Sequence, residues 1–336
     1  MTVLASKFPT LIDWAKALDP DGSISAVAEL LSQTNDIMLD AVWQEGNLAT
    51  GHRSTVRTGL PVATWRRLYG GVQPTKSTRE QVTDSIGMLE NYNEVDMALA
   101  DLANNRDEFR LSEATATLEG MTQQLADTIF YGNSGANPER FTGLAARYNT
   151  RVVASAASAE NVIHGGGAGA DNRSIWLVGW GPQTCFLAYP KGSKAGLRST
   201  DKGQVTTENI DGLQGRAEIY RMHFRVDCGL VLRDWRYCVR IANIDFSDLT
   251  ADASGASANL PRLMFQALRQ IPNLSMCKPA FYMPRDVFTK FDQQCAEATK
   301  TSVLKAENVG GLFLESFNGV PVRRCDRLAA DEATVV

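Results

Sequence analysis

The chain has 336 residues, with 34 Lys and Arg against 38 Asp and Glu for a formal net charge of −4, and it is 44% hydrophobic and 21% charged. That length suits one elaborate domain or two modest ones, and the balance argues against nucleic-acid binding through overall charge. No apolar run approaches the ~18 residues of a membrane span, and Lys7, Asp13 and Lys16 interrupt any secretory signal core.

Residues 1–47 read as an arm with two helices. Thr10 caps the first, from Leu11 to Leu18, and Asp19-Pro20-Asp21-Gly22 makes a turn. Ser23 caps a longer helix whose apolar side carries Ile24, Val27, Leu31, Ile37 or Met38, and Val42.

From Gly46 to Arg79 there is no Asp or Glu, while the stretch holds His52, Arg53, Arg57, Arg66, Arg67, Lys76 and Arg79. Val56, Leu60, Val62, Trp65, Leu68 and Tyr69 are interleaved among them. Its Thr, Val, Gly and Pro content predicts a two-stranded excursion, not a helix. Three readings stay open: a solvated basic hairpin, a hairpin lying on acidic surface of another copy, or a single-stranded nucleic-acid site. A hairpin of this length is marginal without something to pack on, which favours the second.

Val82 to Asn93 continues as a strand and Val95 to Leu102 as a short helix. From Asp107 to Tyr131 the apolar residues Leu111, Ala114, Leu118, Met121, Leu125 and Ile129 alternate steps of three and four. That spacing predicts one amphipathic helix about 37 Å long. Gly132-Asn133-Ser134-Gly135 stops it, on the expectation that glycine reaches positive φ cheaply at a C-terminal cap.

Ser174 to Trp180 and Cys185 to Pro190 read as buried strands, and Lys191 to Asp211 as a polar loop. Residues 215–245 alternate cleanly: Met222, Phe224, Val226 and Cys228 against Arg221, His223, Arg225 and Asp227, then Trp235, Tyr237, Val239 and Ile241 against Arg236, Cys238, Arg240 and Ala242. Period two means a sheet with one buried face, and its arginine-rich polar face should meet carboxylates, phosphate or a partner. Asp248 to Ala258 is a small-residue linker. Asn259 caps a helix through Arg269, with Pro261 near its start. Ala280 to Met283 is a strand, and Pro284 and Asp286 open a helix through Thr299. Gly310 to Phe317 and Gly319 to Cys325 are strands.

Chemical motifs are weak. His164-Gly165-Gly166-Gly167 suggests an esterase oxyanion loop, but no Gly-x-Ser-x-Gly elbow accompanies it. Gly165 to Ala170 fits Gly-x-Gly-x-x-Ala, yet lacks the strand-before, helix-after context of a dinucleotide site; a mobile loop is the expectation. His52, His164 and His223 lie far apart in sequence and give no metal pattern. Cys185, Cys228, Cys238, Cys277, Cys295 and Cys325 form no Cys-x-x-Cys pair and read as reduced thiols. A hydrolase or nucleotide-dependent enzyme using the 164–170 loop remains the rival from another class.

Taken in order, these segments resemble a tailed-bacteriophage major capsid protein with the Hong Kong 97-type fold, which encapsulin shells share. The resemblance rests on the arm, the acid-free hairpin, the strand Val82 to Tyr92, and the long helix. It rests also on the helix exit Gly132-Asn133 then Phe141-Thr142-Gly143-Leu144, on Phe281 to Asp292, and on Phe317-Asn318-Gly319-Val320-Pro321-Val322.

The resemblance implies an α+β fold, with a rearranged strand order expected because the chain stops soon after the Gly319 to Cys325 strand. Its divisions are an N-terminal arm (1–47), an extended loop (48–81), a peripheral domain with the spine helix (82–150), a first part of an axial domain (151–214), a peripheral-domain hairpin (215–250) and a second axial part (251–336). It implies a non-enzymatic shell protein without cofactor or metal, assembling as hexamers and pentamers around double-stranded DNA. Portal, scaffolding and decoration partners, no membrane contact, and assembly in the host bacterial cytoplasm follow from the same likeness. An encapsulin-like compartment is the alternative within the class. Arg53, Arg57, Trp65, Arg66, Arg67, Lys76 and Arg79 are the expected intersubunit contacts.

Overall fold

The computed structural model describes residues 35–102, 106–208, 215–250, 258–297, 304–309, 312–329 and 331–336. The helix expected from Leu11 to Leu18 and most of the one expected after Ser23 lie outside the described residues.

In chain order the elements are α1 (Ile37–Asp40), β1 (Trp43–Glu45), β2 (Gly51–Gly59), β3 (Thr78–Ser85), β4 (Gly87–Asp96), α2 (Met97–Leu102), α3 (Arg106–Tyr131), α4 (Leu144–Arg147), β5 (Val162–His164), β6 (Asn172–Trp180), β7 (Cys185–Tyr189), β8 (Leu197–Glu208), β9 (Arg216–Leu232) and β10 (Cys238–Asp245). They continue as α5 (Leu260–Gln270), β11 (Lys278–Met283), α6 (Arg285–Glu297), β12 (Leu304–Val309), β13 (Leu312–Phe317) and β14 (Val320–Arg324).

The chain divides into two compact units. In the first, formed by residues 88–125 and 196–227, β9 pairs antiparallel with β8 and neighbours β4. Val95, Leu99, Ala100, Phe109 and Tyr220 make its core. Along the part of α3 in this unit the buried positions are Phe109, Ala114, Met121 and Leu125, whereas Leu111 is 65% exposed. The expected apolar stripe is therefore displaced at its N-terminal end, where Phe109 replaces Leu111 as the inward residue. Arg106 and Arg110 lie over the Tyr220 ring at 5.2 and 4.9 Å, and Arg110 donates to Asp201 of β8 at 2.9 Å.

The expected polar loop from Lys191 to Asp211 is thus largely a strand. Its residues are polar on both faces, so period two is invisible in the sequence, but β9 supplies the missing partner. The arginine-rich face of β9 meets carboxylates of the same unit. Arg221 pairs with Glu94, Arg225 with Glu90 and Asp227, and His223 lies 3.2 Å from Glu90 while stacking on Tyr92.

The second unit comprises residues 34–87, 126–195 and 228–336. Here β6 is central: it pairs antiparallel with β10 and β11, and β11 pairs parallel with β14. Residues 215–250 do not form the expected hairpin. β10 pairs with β5 and β6, while the last residues of β9 pair with β7. The expected polar face of the second segment is corrected: Trp235 to Tyr237 form a short helical turn, and β10 is buried along its whole length, Arg240 included, with Val239, Ile241 and Ile244 joining Leu177, Phe281, Met264 and Val287.

The last turn of α3 is clamped by close backbone approach, not by positive φ. Gly132 is absent from the positive-φ positions. A Cβ on Gly132 would meet Thr128 O at 2.5 Å, and one on Gly143 would meet Thr128 O at 2.6 Å and Ile129 O at 2.7 Å. The Gly143 amide donates to Gly132 O at 2.8 Å, closing the exit.

The predicted helix reaching Val42 is also corrected. Its described part is one turn, α1, followed by β1, which pairs parallel with β7. Asn259 caps α5 as expected, its side chain accepting from the Arg262 amide.

Candidate functional site

The glycine run at 164–170 is structural packing. The Gly165 and Gly167 amides donate to Ala242 O and Asn243 O at 2.7 and 2.8 Å, so the run lies along β10. A Cβ at Gly165 would come within 2.8 Å of Asn243 O, one at Gly167 within 2.6 Å of the Asp245 amide, and one at Gly169 would overlap the Asp245 carboxylate. Only glycine allows this approach. Ser247 and Asp248 amides donate to the same carboxylate, which holds it below the ordinary carboxylate range, with the Ser247 side chain the largest cause. The expected mobile loop is a fitted strip.

The histidines have separate surroundings: His52 packs on Phe186, His164 lies 3.2 Å from Asn243 and His223 stacks on Tyr92. Among the described residues no His, Cys, Asp and Glu cluster has the makings of a metal site, and no helix is long and apolar enough to cross a membrane. All six cysteines are free thiols. Burial pushes Cys277 and Cys295 up to about 11 and Cys325 up to about 12.

The strongest candidate surface is the basic excursion. β2 and β3 pair antiparallel from Gly51↔Ser85 to Gly59↔Thr78, as the composition predicts. Residues 60–77, which join them, contain no regular element beyond a turn at Leu68 and Tyr69. Trp65 and Tyr69 are fully exposed, and Leu60, Val62 and Leu68 are exposed at 75, 73 and 86%. Tyr69 adopts φ 63°, a left-handed conformation that costs a residue with a Cβ about 1–2 kcal/mol. Among the described residues, Arg53, Arg57, Arg66, Arg67, Lys76 and Arg79 make no ion pair. Arg53 reaches only Thr83 Oγ1, at 3.3 Å.

The root of the excursion is anchored. Arg147 of α4 donates to Asp84 Oδ1 at 2.8 Å, to Leu230 O at 3.1 Å and to Thr142 O at 3.3 Å. Gly229 lets β9 approach: a Cβ there would meet Ser85 O at 2.5 Å. Sequence reasoning missed this anchor, since Asp84, Arg147 and Leu230 are far apart in the chain.

A second unexpected cluster within this unit ties residues 331–336 to Tyr131, Ser174, Arg240 and Asn243. Glu332 pairs with Arg240 at 2.8 Å and accepts from Tyr131 and Ser174. Asn243 donates to Val335 O and accepts from the Val335 amide, both at 2.8 Å.

A family model described as Major capsid protein GP7 matches residues 19–336. A chain of bacteriophage Epsilon15, from a near-atomic cryo-EM structure, is 33% identical with a TM-score of 0.79, over 100% of this chain and 99% of that one. The capsid of bacteriophage JBD30 is similar at 10% identity and a TM-score of 0.49, over 91% and 96%. The capsid of a native GTA particle is similar at 11% and 0.48, over 68% and 95%. A comparison with curated proteins gave no match. The family match and the full-length likeness at 33% identity agree with the α+β architecture. The chain belongs to the family Major capsid protein GP7: it is a tailed-bacteriophage major capsid protein with the Hong Kong 97-type fold, a structural subunit of an icosahedral shell.

Proposed function

We propose that copies of this chain, as hexamers and pentamers, close a head around double-stranded DNA, and that residues 60–77 of one copy clasp another. The carrying observation is the excursion itself. It offers six cations without an ion pair among the described residues, two fully exposed aromatic rings and a left-handed Tyr69. Exposed rings of this size are the usual anchors of interfaces, and unpaired arginines suit a carboxylate-bearing partner surface. The chain is rich in such groups: residues 88–127 hold nine Asp and Glu against Arg106 and Arg110 alone, of which Glu90 and Glu94 are engaged by β9. Arg53, Arg57, Trp65, Arg66, Arg67, Lys76 and Arg79 are the contact residues on this reading. Each exposed pair is modest, but symmetry repeats it around the shell.

Residues 88–125 and 196–227, with most of α3, form the peripheral domain, which the chain visits twice; the axial domain is drawn from the second unit. The role is structural, not catalytic: the glycine run that suggested chemistry is occupied by Asp245 and β10. Contact with packaged DNA is non-specific and salt-sensitive. Portal, scaffolding and decoration proteins complete the head, which assembles in the cytoplasm of the host bacterium.

Reversing Arg66 and Arg67 to Glu tests the clasp. Sedimentation should show folded subunits or capsomers and no closed shells. Shells at the unmodified yield would refute the assigned role of these arginines.

A further inference from the structure

We propose that the root of the β2–β3 hairpin is a pH-sensitive hinge, with His52 as its sensor, which sets how firmly the loop 60–77 is held. The consequence for assembly rests on reading that loop as a clasp. The hinge itself rests on geometry.

His52 and Asp84 are cross-strand partners, so their side chains leave the ribbon on one face. Ser54, two residues along β2, shares that face. His52, Ser54 and Asp84 are buried, at 8, 3 and 5% exposure. Each carries a buried polar atom without a hydrogen-bond partner among the described residues: His52 Nδ1, Ser54 Oγ and Asp84 Oδ2. Three such atoms on one small face are unusual, because buried polar groups are nearly always paired. The His52 ring stands edge-on to Phe186 of β7, with centroids 5.3 Å apart and planes at 88°. The charged groups around it are Asp84 on β3, Arg147 paired with Asp84, and Arg233 just beyond β9.

Neutral His52 behaves as an aromatic wedge under the ribbon. Protonated His52 is a buried cation near Arg233, and burial, with Arg233, already lowers its pKa below 6.5 against the opposing pull of Asp84. Asp84 Oδ2 is the unpaired acceptor on the same face. Reaching it draws the ring from Phe186 and divides the charge that Arg147 uses to hold β3. Both anchors of the hairpin therefore weaken together. The sign follows from the lowered pKa: the opened root binds the proton more tightly, so the closed root is stable above pH 6.5 and weakens as pH falls below it.

Hydrogen exchange by mass spectrometry tests this on the full-length protein from pH 8 to 5, corrected for the intrinsic pH dependence of exchange. Protection of residues 51–59 and 78–85 should fall below pH 6.5, by at most about tenfold per pH unit for one proton. His52→Phe keeps the ring contact and should flatten the profile. Arg233→Gln removes the opposing cation, brings the closed-state pKa nearer 6.5 and should shrink the loss of protection at low pH, and this second variant decides the matter should His52→Phe fail to fold. A pH-independent wild type, a His52→Phe profile that tracks the wild type, or an undiminished loss of protection in Arg233→Gln would each overturn the hinge. Loss of the clasp reading would leave this profile unchanged, since it is measured within one chain.

Discussion

Arg147 and Asp84 form a buried ion pair, 2.8 Å long with side chains 17 and 5% exposed, that fixes the root of the excursion to the turn after the long helix. Removing one partner leaves an uncompensated buried charge, whereas replacing both with apolar residues is often neutral. Asp84→Ala should therefore cost about 3–5 kcal/mol in denaturant unfolding. The double change Asp84→Leu with Arg147→Met should recover most of it. A loss under 1 kcal/mol in the single variant would show that the pair is not an anchor.

The strap at 331–336 makes a second prediction. Arg240 and Glu332 are 5 and 6% exposed at the side chain, and among the described residues no other carboxylate bonds Arg240. Glu332→Gln should lower the melting temperature clearly, by the order of 3 kcal/mol at the transition. Glu160→Gln, on an exposed carboxylate, should leave it unchanged and serves as the control.

Two glycines of α3 and its exit should respond oppositely to alanine. Gly132→Ala forces a Cβ against Thr128 O and should cost about 1–3 kcal/mol. Gly120 lies mid-helix and its Cβ would meet nothing within 4 Å. Gly120→Ala should stabilise by about 0.5–1 kcal/mol. Equal effects at the two sites in thermal unfolding would contradict the packing described for the helix exit.

Asp201 supplies a pH prediction in the first unit. The Gly203 amide, ahead of Arg110, holds its carboxyl below the ordinary 3.8, with burial opposing. A lowered folded-state pKa adds stability above 3.8 that is lost as pH falls through the folded value. Asp201→Asn should therefore be less acid-sensitive than the wild type below pH 4. An unchanged acid limb in a pH titration of stability would show that the contact is not used.

The long helix and the β9 alternation were legible because a 3.6 or 2 residue period survives in apolar side chains, whereas β10 is buried on both sides and its arginine is internal. Leu111 shows the limit: periodicity accepted it, but the ring of Tyr220, with two arginines above it, places Phe109 inward instead. β8 was illegible because Thr200, Gln204 and Thr206 look like loop whichever face they occupy. The pairing of β9 and β10 was misread because alternation reports burial and not which strand lies alongside. The glycine run at 165–169 could not be told from a flexible loop without Asp245 beside it. The excursion was legible through an absence of acid residues, whereas its anchor at Asp84, Arg147 and Leu230 depends on tertiary neighbours.

The central claim is that the excursion closes the shell. Electron microscopy of the protein lacking residues 60–77, with a short turn joining Gly59 to Thr78, tests it most directly. The account predicts folded subunits with intact circular dichroism and no closed icosahedral particles. Normal particles from that variant would contradict it.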